Sequence, residues 1–257
     1  PLKANPIDIF WSNNRNIYPK SDINVHPLKY AGISSIRKIK NLCMYLKKLN
    51  TEAYIINHPD SLAWLLNIRG MDLKHTPIIL SRAIIFNNGY IYLFIDSSRI
   101  NKKIKNHFNN NIKIFPEKNI ISEIIKISKK KNKILVDPDS VSYALIHFIK
   151  DKKNNLIETK CPIEKMKAIK NAIEIKGAFS AHLKDGVALS KFLYWIHKSK
   201  TSHNSELLAS NTIDNLRSKQ RNFICTSFET ISGFASNGAI VHYRVTNKSN
   251  KKFSNNN

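Results

Sequence analysis

An α/β (α+β) fold is predicted by three features of the sequence. Short apolar runs rich in β-formers alternate with helix-period segments over residues 31–160, the pattern of a sheet covered by helices. Asn87-Asn88-Gly89 divides two of those runs, and Asn-Gly in that setting marks a hairpin. Beyond Pro162 the strands give way to a long helical stretch. With 257 residues, 42% of them hydrophobic, the chain can bury the core of one large domain or two modest ones.

Residues 1–30 carry Pro1, Pro6, Pro19 and Pro27 among polar residues and read as a linker. Ile33, Ile36, Ile39, Leu42, Cys43, Leu46 and Leu49 then recur at helical spacing, with Ser34 or Ser35 as the start. Ala53-Tyr54-Ile55-Ile56 reads as a buried strand. Asp60 or Ser61 can cap a short helix, Leu62 to Leu66, ending near Gly70. Ile78–Phe86 and Tyr90–Ile95 form the hairpin strands. There follow a polar helix around Ser98–Phe108, a strand Ile112–Phe115, a helix near Ile120–Ser128, a strand Ile134–Asp137 and a helix Val141–Ile149. Asp151 to Asn155 is a polar turn.

In the long helix after Pro162, Ala172, Ile175, Phe179, Leu183, Val187, Leu189, Phe192 and Trp195 mark an apolar face. Gly177 and Gly186 would each cost up to ~1 kcal/mol there, which close helix packing could offset. Ser202 to Ser205 can cap a further helix, Glu206–Ser218. Cys225–Ile231 and Ala239–Tyr243 read as strands joined by a Gly-containing loop. Lys129–Lys131 and the asparagine-rich C-terminus are low-complexity patches, read as solvated.

The formal charge is +24. Lys greatly outnumbers Arg, and Asn and Ile are abundant with it, as a base-composition bias toward A and T would produce. The lysines are spread along the whole chain, and Arg, the better reader of phosphate, is scarce. Nucleic acid is therefore not the expected partner. Cys43, Cys161 and Cys225 give neither a disulfide framework nor a zinc pattern and suit a reducing cytosol. No apolar run approaches the ~20 residues that span a bilayer, and no apolar segment of a signal peptide follows the N-terminus. The expected location is cytoplasmic, with no membrane partner.

Generic chemistry motifs are missing: no Gly-rich phosphate loop, no nucleophile elbow, no His-Glu-x-x-His and no calcium loop. Asp137-Pro138-Asp139 reads as a turn and cap. His26, His58, His107, His147, His182, His197 and His203 read as structural or exposed. His242 stands apart. It lies on an apolar run beside a loop containing Gly233 and Gly238, which can let backbone approach a ligand. A strand would place it opposite Val241 and Tyr243.

Five segments occur in a telling order: Asn67-Ile68-Arg69-Gly70-Met71-Asp72; Thr76-Pro77-Ile78 with Ala83-Ile84-Ile85; Lys170-Asn171-Ala172-Ile173-Glu174; Ala181 to Ala188; and Ser227 to Arg244. Together they resemble the Xaa-Pro aminopeptidases (aminopeptidase P), of the creatinase and pita-bread metallopeptidase family. Asn5-Pro6-Ile7-Asp8 and Trp11 resemble the linker after the first domain of that family's three-domain form. The resemblance implies that residues 1–30 are a linker, 31–160 a creatinase-N-like middle domain and 161–257 the first part of a pita-bread catalytic domain. It implies an activity, removal of an N-terminal residue that precedes proline. It also implies two metal ions, usually manganese, held by two aspartates, one histidine and two glutamates.

Carried over by position, His242 is the family's catalytic-site histidine, contacting substrate without being a metal ligand. Ile231, Gly233 and Tyr243 would line the approach to it. Arg69 lies in a domain that borders the partner's active site in family dimers. In the family pattern the five metal ligands fall beyond Asn257, and the first domain is missing. The chain is therefore expected to be a fragment that binds no metal by itself and is inactive alone, with a less stable C-terminal part. Its expected partners are an Xaa-Pro peptide, a second copy of the chain, or a complementing C-terminal fragment that makes it half of a split enzyme. The competing expectation is a non-enzymatic interaction module.

Overall fold

The computed structural model describes residues 6–11, 18–128, 132–151, 155–199, 201 and 204–254. The lysine run 129–131, His203 and the last asparagines, 255–257, lie outside the described residues.

The expected linker holds α1 (Pro6–Trp11), β1 (Asn24–Val25) and α2 (Leu28–Ala31). Its second half is part of the domain: Ile23 is buried, and β1 pairs antiparallel with β3 (Ile68–Arg69). The prolines disguised this, since a two-residue strand carries no periodic signal. α3 (Ser35–Lys48) starts where Ser34 Oγ accepts the Arg37 N–H and buries Leu42, Cys43 and Leu46. Ile36, expected on the same face, is exposed.

β2 (Ala53–Ile56) is buried along its whole length. α4 (Pro59–Leu66) opens on Pro59, not on an Asp60 or Ser61 cap, and closes at Asn67, which takes the left-handed conformation at φ 52°. Gly70 is therefore not its stop. A Cβ at Gly70 would meet Ile79 Cγ1 at 2.8 Å and Ser21 Oγ at 2.9 Å, so it is glycine for close approach.

β4 (Arg82–Phe86) and β5 (Ile91–Phe94) form the predicted hairpin, with Ile78–Ser81 outside the strand. The polar helix resolves into a 3-10 turn, Ser97–Arg99, and α5 (Lys102–His107). Then come β6 (Ile112–Phe115), α6 (Ile120–Ser128), β7 (Lys133–Val136), α7 (Tyr143–Asp151) and β8 (Asn155–Glu158). β8 was missed because it follows the polar run closely and holds only Leu156 and Ile157 as apolar residues.

The sheet runs β6-β5-β4-β2-β7-β8, with the β4–β2 and β5–β4 pairs antiparallel and the others parallel. Strand alternation divides the core into two layers. Tyr54, Ile56, Ala83, Ile85, Ile91, Leu93 and Leu135 face α3, α4 and α5. Ala53, Ile55, Ile84, Ile134 and Val136 face α6 and α7. Both faces are covered, so the central strands are apolar throughout.

α8 (Pro162–Ala168) leads to α9 (Ala172–Lys198), which begins on a full capping box between Asn171 and Glu174. α10 (Glu206–Ser218) matches its expected range, with Ser205 Oγ accepting the Leu208 N–H. The apolar face expected along α9 is largely bare: Phe179 is 75% and Leu183 73% exposed, and only Ala188 is buried. Nothing lies within 4 Å of a Cβ built at Gly177 or Gly186, so close packing does not explain them.

Neither C-terminal stretch expected as strand is one. Residues 225–234 are irregular, Ala235–Ala239 is a 3-10 turn and 241–242 lie in a turn. A strand needs a neighbour to satisfy its backbone. Among the described residues, the only bridge in this region joins Ser205 to Lys252.

Candidate functional site

The loop that carries His242 is built around a buried carboxylate. Glu206, the first residue of α10, is fully buried. It accepts hydrogen bonds from Phe234 N (2.6 Å), Lys251 N (2.9 Å), Tyr243 Oη (3.0 Å) and Asn237 Nδ2 (3.1 Å to each oxygen). Burial pushes its carboxyl pKa up, but the Lys251 and Phe234 amides with the Asn237 and Tyr243 side chains outweigh burial and hold it below the ordinary value. Asn237 also donates to the Ser249 carbonyl at 3.0 Å. One anion thereby gathers residues 234, 237, 243 and 251.

His242 stands on the rim of this knot. It takes φ 54° and is exposed, as is Val241, so the expected opposite-face arrangement of a strand is absent. Left-handed backbone is uncommon for a residue with a Cβ, and Ala235 in the same loop has φ 52°. Tyr243 points inward, 6% exposed, with its hydroxyl on Glu206 and Ser249; it supports the loop rather than lining an open approach. Gly233 lies against Asn237 O and Gly238 Cα, each 3.1 Å from where its Cβ would be. Ile231 is 57% exposed. Arg69 belongs elsewhere: it is half-buried on β3, and its guanidinium donates to the carbonyls of Ala63 (3.0 Å) and Ile68 (2.8 Å). The structure thus gathers His242, Gly233 and Tyr243 in one loop that Ile231 leads into, and keeps Arg69 in the N-terminal domain.

Sequence reasoning missed Glu206, Asn237 and Glu229. Glu206 follows a Ser N-cap, which explains a first-turn acid but not a buried one. Glu229 accepts from Lys74 Nζ at 2.8 Å and from Arg244 Nε at 3.0 Å. No local motif announces either role, because the partners lie far apart in sequence.

The loop does not fit metal ions. Its two carboxylates, Glu206 and Glu229, are committed to the donors just named. Among the described residues, one group of three metal-ligating side chains lies close together: His58, Asp137 and Glu164. It sits in the N-terminal domain. His58 Nε2 is 2.9 Å from Asp137 Oδ2, and its Nδ1 is 3.8 Å from Glu164 Oε1. One ligand atom from each of the three lies within 4.8 Å of the others, and the imidazole is already engaged by Asp137. Asp137 also accepts Cys161 N at 2.9 Å and Asp139 N at 3.0 Å. Burial raises its pKa, but His58 and those amides leave it below the ordinary value. This is the expected turn at Asp137-Pro138-Asp139, enlarged into a tie between β7, α4 and α8.

Residues 14–174 match the family described as the creatinase/prolidase N-terminal domain. The chain is 31% identical over 261 residues to a protein named probable Xaa-Pro aminopeptidase P from Paracoccidioides brasiliensis (strain Pb03), covering 96% of this chain and 42% of that one. It is 35% identical over 232 residues to Xaa-Pro aminopeptidase 1 of Dictyostelium discoideum, covering 88% and 36%. The solved X-prolyl aminopeptidase of Caenorhabditis elegans, described as a cytosolic enzyme with a di-nuclear active site, superposes with a TM-score of 0.85 at 28% identity. That match covers 96% of this chain and 41% of the other. The chain therefore spans only 36% to 42% of the length of these relatives.

Proposed function

The chain belongs to the creatinase/prolidase N-terminal domain family, and from that premise we propose that it is part of an Xaa-Pro aminopeptidase. The likeness over 96% of the chain, at a TM-score of 0.85, to a solved X-prolyl aminopeptidase carries this reading. In it, residues 31–160 serve as the creatinase-N-like domain and 161–257 as the opening part of a pita-bread catalytic domain. The substrate is a peptide with proline in second position, and the location is the cytoplasm. His242 is the substrate-site histidine, on a loop with Gly233 and Tyr243; Ile231 borders it, and Arg69 holds together the domain that would border a second copy of the chain.

Two metal ions, manganese in the family, would supply an activated hydroxide and polarise the scissile carbonyl. In the His242 loop Glu206 and Glu229 already accept from protein donors, so no catalytic step is assigned to this chain alone. The test is hydrolysis of an Xaa-Pro peptide by the purified chain with added manganese, with EDTA as control. No turnover is expected; metal-dependent turnover would overturn the expectation that this chain is inactive alone.

The bare apolar face of α9 favours a second reading, completion in trans by a separate chain that carries metal ligands. Turnover that appears only on mixing the two chains would support it. The remaining alternative, a non-enzymatic interaction module using the basic surface, requires binding that weakens steeply with salt.

A further inference from the structure

We infer that His75 and Glu229 are positioning residues, through which the N-terminal domain latches the loop carrying His242. The latch starts from a rigid footing. Asp72 is buried and accepts from Arg99 (2.7 and 3.0 Å), Ser21 Oγ (2.7 Å) and Leu80 N (2.8 Å). From there a tight turn, bridged between Leu73 and Thr76, projects Lys74 and His75. His75 takes φ 68°, a conformation that a non-glycine residue holds only when its surroundings enforce it.

That conformation carries the His75 ring onto Thr226, with Nδ1 3.0 Å from the carbonyl and 2.8 Å from Oγ1. On the other side Nε2 is buried and 3.9 Å from Glu229 Oε1. Glu229 then joins the two parts of the chain. Lys74 reaches it from the domain at 2.8 Å, and Arg244, two residues past His242, reaches it from the loop at 3.0 Å. α10 supports the same loop from a different direction, where Thr230 Oγ1 donates to Asp214 at 2.6 Å.

Lys74 and Arg244 are 76% and 77% exposed. Ion pairs that open to water add little to global stability. The latch therefore acts on where the His242 loop sits, not on whether the protein folds.

The experiment reads His242 directly. Imidazole signals of the 257-residue chain are recorded by NMR, with His242→Gln to assign the His242 ring. Glu229→Gln keeps the side-chain shape and removes the charge. It is expected to shift or broaden the His242 ring signals. It is also expected to speed exchange of the Tyr243 amide, which bonds to Ile240 O, by about tenfold, at an unchanged thermal midpoint. His75→Ala is expected to do the same, and Glu229→Asp to restore most of the wild-type pattern.

Unchanged His242 signals in both Glu229→Gln and His75→Ala would overturn the latch. So would a fall in thermal midpoint with no selective effect on His242. The significance of the latch rests on His242 being the substrate-site residue, but this readout needs no peptidase turnover. Failure of the peptidase reading and failure of the latch are thus told apart.

Discussion

Replacing Glu206 with alanine is expected to lower stability by about 3 kcal/mol, because two backbone amides and the Asn237 and Tyr243 side chains lose a charged acceptor inside the protein. Denaturant unfolding of the variant against wild type measures it. The same residue gives an acid limb. Its folded pKa lies below the ordinary value of 4.5, so its contribution is complete above that value and is lost as pH falls through the depressed folded pKa. Glu206→Gln should flatten that limb in an acid titration followed by fluorescence. Lys38 adds a second limb of the same sign at high pH. Burial lowers its pKa from 10.5 to about 8, with Arg69 adding to the effect and Glu174 opposing it. The unfolded chain therefore binds more protons between those values, and stability should rise with pH across that window. Lys38→Met should remove the rise. Nothing local marks either residue: Lys38 sits on α3 among exposed lysines, yet its ammonium is buried, donates to Trp64 O and Asn67 Oδ1 and lies 3.9 Å from the Trp64 ring centroid.

α9 is the element whose ends and middle behave most differently. Its start is fixed, since Asn171 caps it and also donates to Ala31 O at 2.9 Å, while its carboxamide fills the space against Gly32, where φ is 71°. Its middle is open. Gly177→Ala and Gly186→Ala should each stabilise by about 0.5–1 kcal/mol, visible as a higher thermal midpoint, because an added methyl meets nothing. Asn171→Ala should destabilise by about 1–2 kcal/mol through loss of the cap. Elements whose cause is local were legible in the sequence: α3 from its apolar spacing and Ser34, the β4–β5 hairpin from Asn88-Gly89, α10 from Ser205. Those whose cause lies elsewhere in the chain were not. β1 and β3 exist only because they pair with each other, and β8 only because β7 offers an edge. The converse error arose at 225–231 and 239–243, where β-rich composition met no partner strand. The candidate site followed the same rule. Its loop could be located from the resemblance around His242, but the Glu206 knot and the Lys74–His75 contact depend on distant residues.

Across the whole molecule, a charge of +24 coexists with a bare apolar helix face on α9. Self-repulsion should keep the chain monomeric in dilute salt, and screening should let that face associate. Sedimentation at low and high salt is expected to show mass increasing with salt, and Leu183→Glu to abolish the increase. No helix among the described residues is long and apolar enough to cross a membrane. The strand order has a different bearing, on how the protein is made. β2 lies at the middle of the sheet, with β4 on one side and β7 on the other, and its register pairs Ala53 with both Phe86 and Ile134. During synthesis β2 and β4 leave the ribosome long before β7. For that interval the nascent chain presents an uncapped apolar strand in its centre. A chaperone that recognises extended hydrophobic backbone would meet its target there, and that target disappears once residues 133–136 have emerged and docked.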